Sequence, residues 1–305
     1  MLALSTAWLS ATVDDGLVLL DRIRGLERLE VIELDARLSP AMLEVMLMVV
    51  RAKELRVASL HAPCPVPVEV DRLAADRELQ LNHPDRDERA RALAAAAASI
   101  DLAAELEAPV VTIHLGRVEL TGEIGKLRAL FDDDRIDTEE AAAVRAELLE
   151  RRAAAAAPYL DAARFSLEAL LEGARRRGIW LALENRPVFY EMPDPEELEV
   201  LFTEFAGSRL RFCYDAGHAA VQETLGWTTQ RALLEAHREV LCCVNLHDAR
   251  GYRNKLIDER RQTDYGLLRQ FVTPATPCVI EVEGVEDEQL LEYVDFLEGQ
   301  GFSLR

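Results

Sequence analysis

Short apolar runs recur along the chain, and each ends in a polar residue before a stretch with helical signals. Eight of them occur, at residues 2–8, 29–35, 56–62, 109–116, 179–185, 210–217, 241–248 and 278–284. Their nearly continuous Val, Ile, Leu and Cys content is typical of strands buried on both faces, as in a parallel sheet. Eight such strands alternating with helices predict a (β/α)8 barrel.

One connection between the predicted strands is oversized. Between the fourth and fifth runs, residues 117–178 hold a polar stretch and then a long helical pattern, which we expect to be broken near Pro158. We therefore predict a long, mostly helical insertion between strands 4 and 5. Because it leaves the C-terminal end of a strand, it either covers the barrel mouth, meets a second subunit or decorates the surface. No linker divides the chain, so we predict one barrel domain over residues 1–305.

The charge balance limits the partners of the chain. Asp plus Glu total 55 against 35 for Lys plus Arg, which gives a formal net charge of -20. This balance disfavours nucleic acid and anionic membrane surfaces as partners. The five cysteines form no CxxC pair, and the apolar start lacks the basic segment of a signal peptide. We expect a cytoplasmic protein.

Polar residues at the ends of the runs would meet on one face, since the C-terminal ends of barrel strands share a rim. These residues are Glu33, His61, His114, Glu184, Asp215, His247 and Glu281, with His218 three residues after Asp215. Taken singly, each fits a satisfied core histidine or a solvated rim carboxylate. Together the carboxylates would repel one another, and no Lys or Arg stands at these strand ends. A metal ion is the economical counter-charge.

Six segments resemble, in order, the strands of xylose-isomerase-like TIM barrels. They are "SLHAP", "VVTIHLG", "LALEN", "YDAGH", "NLHD" and "VIEVEG". That superfamily includes sugar isomerases, ketose 3-epimerases, inosose dehydratases and the endonuclease IV enzymes. The resemblance covers nearly the whole chain and is specific for the superfamily rather than for one activity.

The resemblance implies a role for each matched residue. One divalent metal would be held by Glu184, Asp215, His247 and Glu281, and the two glutamates would also carry protons as catalytic residues. Glu283, two residues after Glu281, is the alternative fourth ligand. By the same resemblance, His61, His114 and His218 would contact the substrate. From its own position, Glu33 at its strand end is a further predicted substrate contact, and so is Arg186, an anion-binding candidate directly after Asn185. A carboxylate-rich site with one His suits Mn²⁺, Mg²⁺ or Co²⁺, and Zn²⁺ is also compatible. In the nuclease branch, the three histidines would instead hold further metals.

We therefore predict an isomerase or epimerase of carbohydrate metabolism that acts on a small sugar or keto-polyol by proton transfer next to a carbonyl. Dehydration of a keto-polyol begins with the same step and stays open, as does assembly into a homo-oligomer. An endonuclease IV-like phosphodiesterase is favoured by the histidines. It is opposed by the negative charge and by the loop after the seventh run, which lacks the Asp-x-His of many relatives. A non-catalytic barrel that keeps the ligands for binding is the third alternative.

Several charged residues have a simpler interpretation. Arg250, Arg253 and Lys255 lie on the loop after the seventh run, where a solvated charge run is expected and a grip on a carboxylate or phosphate is the alternative. His237 lies on a helix outside the predicted barrel, and we expect it at the surface.

Overall fold

Eight parallel strands close into a barrel in a computed structural model that describes residues 1–120, 124–258 and 260–304. In chain order the strands are β1 (Leu2–Ser5), β2 (Val31–Leu34), β3 (Arg56–His61), β4 (Val110–Ile113), β6 (Trp180–Glu184), β8 (Leu210–Asp215), β9 (Leu241–Leu246) and β12 (Cys278–Ile280). Around the barrel, each strand pairs with its neighbours in that order, and β12 pairs with β1. The predicted (β/α)8 architecture is confirmed.

Two short antiparallel pairs lie apart from the barrel. One joins β5 (Gly116–Arg117) to β7 (Glu191–Met192), and the other joins β10 (Asp248–Arg250) to β11 (Arg253–Leu256). The second pair is a hairpin in the loop that follows β9, so it stands at the C-terminal end of the barrel.

The inner and outer sides of the strands have different compositions, because successive side chains of a strand point to opposite faces. Outward residues such as Leu183, Phe212 and Leu246 pack with the helices in the main hydrophobic core. The inner side begins with small apolar residues and reaches the predicted site residues two positions later. These pairs are Val31 and Glu33, Ala182 and Glu184, Cys213 and Asp215, and Val279 and Glu281.

Helices fill the connections between the strands. They are α1 (Ala7–Ser10), α2 (Gly16–Gly25), α3 (Pro40–Arg51), α4 (Ala75–Glu78), α5 (Arg86–Glu105), α6 (Gly125–Asp132), α7 (Glu139–Arg177), α8 (Pro195–Glu204), α9 (Ala216–Thr224), α10 (Gln230–Ala236), α11 (Tyr265–Leu268) and α12 (Asp287–Gly299). Among the described residues, no helix combines the length and apolar character needed to cross a bilayer.

The insertion between β4 and β6 consists mainly of α6 and α7. The expected break near Pro158 is wrong, because α7 runs unbroken for 39 residues with this proline inside it. Buried side chains on both sides of Pro158, including Leu148 and Leu167, anchor the helix and offset the lost hydrogen bond. In α6, Asp132 accepts a hydrogen bond from the Tyr252 hydroxyl at 2.9 Å. The insertion thus supports the hairpin beside the barrel mouth.

His237 is buried, which corrects the expectation that it lies at the surface. Only 5% of the residue is exposed, and its ring lies 5.3 Å from that of Phe202 and 5.0 Å from that of Phe212. The residue caps the end of α10, where the chain turns back toward the barrel. Burial lowers the pKa of His237 to about 4.

Candidate active site

Glu184, the last residue of β6, is the centre of a group of imidazoles. Its Oε2 lies 3.2 Å from Nε2 of His61 and 3.3 Å from Nε2 of His114, while its Oε1 lies 3.0 Å from Nδ1 of His218. Burial alone would raise the pKa of Glu184, but the three imidazoles lower it well below its usual range. Glu184 is therefore held as a carboxylate in a fully buried position.

Two of these histidines line the barrel interior at the ends of β3 and β4. Their rings meet edge to face, with centroids 4.5 Å apart. Burial opposes protonation of His61, but its hydrogen bond to Glu184 and the nearby carboxylate charges together outweigh burial and raise its pKa to about 10. Nδ1 of His114 lies 3.1 Å from Asp76, and Arg186 donates a hydrogen bond to Nε2 of the same ring.

Arg186 joins the predicted site two residues after Glu184. Its Nη1 lies 3.2 Å from Oε1 of Glu184, and its Nη2 lies 3.0 Å from the carboxylate of Glu191. The side chain is about 10% exposed. Arg186 therefore stands beside the imidazoles with its charge shared by two carboxylates.

A second group forms where β8 runs directly into α9. Asp215 ends the strand and caps the helix, since its Oδ1 accepts a hydrogen bond from the backbone N–H of His218 at 2.6 Å. Nε2 of His247 lies 2.9 Å from the same carboxylate. Burial would raise the pKa of Asp215, but the two imidazoles lower it. A carboxylate ends this strand because it caps the first turn of α9 and also lies against the imidazoles.

Asn185 holds the two groups in register. Its side chain accepts a hydrogen bond from the backbone N–H of Asp215 at 2.8 Å and donates one to the carbonyl of Asp215 at 3.0 Å. Its backbone carbonyl accepts a hydrogen bond from Nδ1 of His218 at 3.0 Å. The side-chain amide thus extends the pairing of β6 and β8 past the end of the strands.

Glu281 follows β12, and both of its carboxylate oxygens accept hydrogen bonds. Its Oε1 accepts a hydrogen bond from Nζ of Lys255 at 2.5 Å, and Nη2 of Arg37 lies 3.6 Å from the same oxygen. Its Oε2 accepts a hydrogen bond from Nδ2 of Asn245 at 2.9 Å. The same Nδ2 lies 3.2 Å from Oε2 of Glu184, so one amide connects the two predicted catalytic carboxylates.

A metal is not the only counter-charge available to these carboxylates. The strand ends carry no Lys or Arg, but the loops bring Arg186 to Glu184 and bring Arg37 and Lys255 to Glu281. Lys255 is also not part of a solvated charge run, since its side chain is only 22% exposed. Burial opposes its charge, but the nearby carboxylates, Glu281 foremost, together keep the pKa of Lys255 raised.

Glu33 lies inside the barrel with no exposed surface. Its Oε2 accepts a hydrogen bond from the Ser59 hydroxyl at 2.7 Å, and its Oε1 has no hydrogen-bond partner among the described residues. Burial raises the pKa of Glu33 to about 8. Glu33 therefore carries a proton at neutral pH, unlike Glu184.

A cavity of about 120 Å³ opens at the mouth of the barrel. Its lining includes Asp35, Arg37, His61, Asp76, His114 and Lys255. No described residue of α6 or α7 contributes to this lining. The two helices α6 and α7 therefore support the surrounding loops without lining the cavity.

The donor atoms suit a metal at two adjoining places. His61, His114 and Glu184 form one group, and Asp215, His218 and His247 form another; within each group the ligand atoms lie within 4.8 Å of one another. Nitrogen and carboxylate oxygen donors of this kind match Zn²⁺ and other first-row divalent ions. Three of the four predicted ligands belong to these groups, while Glu281 stands apart with Lys255 and Asn245.

Asn245, Arg37 and Lys255 are among the site residues that the sequence interpretation did not place there. Asn245 stands two positions before His247 in β9, so strand alternation could have placed it on the inner side. Arg37 and Lys255 come from loops, and only the folded loops show where their charges lie.

A family model described as xylose isomerase-like TIM barrel matches residues 25–273. A D-tagatose 3-epimerase-like protein is 17% identical, with a TM-score of 0.66 over 98% of each chain. D-Psicose 3-epimerase from Clostridium cellulolyticum is 11% identical, with a TM-score of 0.64 over 99% of each chain. Both likenesses show the fold.

A protein from Thermus thermophilus, TTHB071, whose structure was obtained after soaking with ZnCl2, is 26% identical over 99% of each chain. Its TM-score is 0.61. A comparison with curated proteins gave no match.

Proposed function

Because the chain belongs to the xylose isomerase-like TIM barrel family, we propose that it is a divalent-metal-dependent isomerase or epimerase. Its substrate is a small sugar or keto-polyol, and the reaction is proton transfer next to a carbonyl. Structural neighbours that carry the names of sugar 3-epimerases support this class. The observation that carries the proposal is the pair of buried carboxylates, Glu184 and Glu281, joined through the amide of Asn245.

The metal would be held by Glu184, Asp215 and His247, with Glu281 as the fourth ligand that the family resemblance implies. When bound, it would polarise substrate oxygens and stabilise the negative charge that develops on them. Mn²⁺, Mg²⁺ or Co²⁺ fits the carboxylates, and the imidazole groups also suit Zn²⁺.

The residues of the chain would divide the remaining work. A carboxylate that exchanges a proton with carbon must lie within reach of the substrate and stay ionised until it acts. Glu184 meets the second condition, because the imidazoles lower its pKa. His61 and His114 line the cavity and would bind substrate hydroxyls. Glu33, protonated at neutral pH, would donate a hydrogen bond rather than accept one.

The test is proton exchange with solvent. The Mn²⁺-loaded protein is incubated in deuterated water with a panel of ketoses and keto-polyols, and the products are examined by NMR and mass spectrometry. At least one compound should be converted with deuterium on the reacting carbon. A panel in which no carbon-bound proton exchanges would contradict the proposal. Loss of water from the substrate would assign a dehydratase that shares the first step.

The second candidate is an endonuclease IV-like phosphodiesterase. The two adjoining groups of metal ligands favour it, because phosphodiester cleavage often uses more than one metal. The net charge of -20 opposes it, and so does Lys255, which stands in the loop where many relatives carry Asp-x-His. Cleavage of abasic-site DNA, together with more than one metal ion per chain, would establish this function instead.

A further inference from the structure

Lys255 is fixed in the site by its own backbone. Its N–H donates a hydrogen bond to Nδ1 of His247 at 3.0 Å, and its carbonyl accepts one from the N–H of Glu283 at 3.0 Å. The residue adopts a φ of 58°, a left-handed conformation that is uncommon for residues other than glycine. The hairpin of β10 and β11 therefore holds Lys255 between the loops that follow β9 and β12.

The ammonium of Lys255 contacts Glu281, and the same side chain lines the open cavity. Its Nζ donates to Oε1 of Glu281 at 2.5 Å, and the side chain also lines the cavity with His61 and His114. Glu281 itself is only 1% exposed. A compound that approaches Glu281 from the cavity therefore meets the ammonium.

The ammonium also has hydrogen-bonding capacity to spare. It carries three N–H donors, and Glu281 is the one acceptor within hydrogen-bond distance among the described residues. The carboxylate of Glu283 lies 3.6 Å from Nζ, which is too far for a hydrogen bond. Donors thus remain for an oxygen atom of a molecule in the cavity.

We propose that Lys255 is a further catalytic residue, whose ammonium hydrogen-bonds the substrate oxygen on which negative charge develops while Glu281 takes a proton from the neighbouring carbon. The inference rests on the proposed function. A donor placed where charge develops stabilises the transition state more than the ground state. Nζ already contacts the carboxylate from which the negative charge departs.

The step balances without any further reactant. The C–H bond breaks, its proton goes to Glu281, and its electron pair forms a double bond to the carbonyl carbon. The carbonyl π pair moves onto the oxygen that Lys255 contacts. Negative charge has then passed from Glu281 to the substrate, and the ammonium lies beside both positions. In the reverse electron movement, protonated Glu281 gives a proton back to carbon, which restores a carbonyl compound and the Glu281 carboxylate.

Variants of Lys255 test the inference in the Mn²⁺-loaded protein. Lys255→Met removes the charge and keeps much of the stem, Lys255→Arg keeps the charge, and Lys126→Met is the matched control on the exposed surface of α6. We expect Lys255→Met to lower kcat for the exchanging substrate by ~10²-fold or more, as loss of one oxyanion donor does. KM and Mn²⁺ affinity should stay within ~3-fold of wild type. Lys255→Arg should keep more of the rate, and Lys126→Met all of it.

The outcomes separate this inference from the proposed function. A folded Lys255→Met protein that retains the wild-type kcat overturns the role of Lys255. If that variant melts before assay, Lys255→Ala, which also removes both the charge and the N–H donors, decides with the same criterion. If wild type exchanges no proton with any compound, the proposed function fails. The role of Lys255 is then tested by binding of glycolohydroxamate, a mimic of the enediolate. An affinity that is weaker by ~10-fold or more in Lys255→Met supports the role, and an unchanged affinity refutes it.

Discussion

Gly217 lies directly against the imidazole of His247. A β-carbon at this position would overlap Nδ1 and Cε1 of the ring and would stand 3.1 Å from Cγ. The backbone of Gly217 is otherwise ordinary helix at the start of α9, so its conformation does not require glycine. The absence of a side chain serves the packing of His247 alone.

Gly217→Ala should therefore displace His247 from Asp215. We expect the free energy of unfolding to fall by ~1–3 kcal/mol, as in other overpacked sites. Mn²⁺ affinity should fall by ~10-fold or more, because the orientation of a ligand is lost. Gly173→Ala is the control, since its added β-carbon would meet only one atom, 4.0 Å away, inside α7. That control should stabilise the protein slightly. Equal melting temperatures and equal metal affinities for the two variants would contradict this account.

The metal prediction can be tested through stability. A ligand that binds only the folded state raises the stability with the logarithm of its free concentration. We expect Mn²⁺ to raise the melting temperature of wild type, and a chelator to reverse the effect. Asp215→Asn should need a higher Mn²⁺ concentration for the same rise, because a charged donor is lost. Asp161→Asn, on the exposed surface of α7, is the matched control. A melting temperature that changes with neither Mn²⁺ nor chelator would contradict the metal site.

The sequence sufficed for the barrel because its signal is periodic. The apolar runs identify the eight strands, and the shared direction of parallel strands then predicts that Glu184, Asp215 and His247 meet at one rim. Local rules also account for the helix starts at Ser39 and Asp194: each is an N-cap residue followed by proline, and its side chain accepts a hydrogen bond from a backbone N–H group in α3 or α8.

The counter-charges could not be predicted in the same way. Arg37 and Lys255 are 218 positions apart in the chain, and the paths of their loops follow no repeating pattern. Their meeting at Glu281 depends on long-range packing of the two loops. His237 was misjudged for a similar reason: the turn after α10 directs it inward onto Phe212, and a helix pattern alone does not specify that turn.

Glu33 should make the stability fall with rising pH. Its pKa is about 8 in the folded protein because of burial, against an ordinary value of 4.5. Between these values the unfolded chain releases a proton that the folded protein keeps, so stability is lost as the pH rises from 4.5 to 8. Glu33→Gln cannot ionise and should be more stable than wild type at about pH 9, by on the order of a few kcal/mol, but not at about pH 4. Chemical denaturation at both pH values measures this. A pH-independent difference, or the same gain in the exposed variant Glu54→Gln, would refute the assignment.

His237 should have the opposite effect. Burial lowers its pKa to about 4, so between pH 6.5 and pH 4 the unfolded chain binds a proton that the folded protein does not. Stability should therefore fall as the pH falls through this range, by on the order of 2 kcal/mol. His237→Phe, which keeps a ring against Phe202 and Phe212, should remove this dependence. His83→Phe is the control, because this histidine lies in a loop and is only half-buried. If the two variants show the same acid dependence as wild type, His237 is not the titrating group.

Glu184 and Glu281, the two predicted catalytic carboxylates, should differ in how strongly each raises the pKa of His61. Glu184→Gln and Glu281→Gln are nearly isosteric, but neither can accept a proton at neutral pH, so each should lower kcat by ~10²-fold or more. Several carboxylates together raise the pKa of His61 to about 10, and Glu184 contributes most among them. Glu184→Gln should therefore shift the NMR titration of His61 to lower pH by more than Glu281→Gln does. Equal shifts would mean that another charge raises the pKa of His61.

Product that forms without solvent deuterium would mean that hydride moves between neighbouring carbons. The carboxylates would then act as ligands rather than as proton carriers.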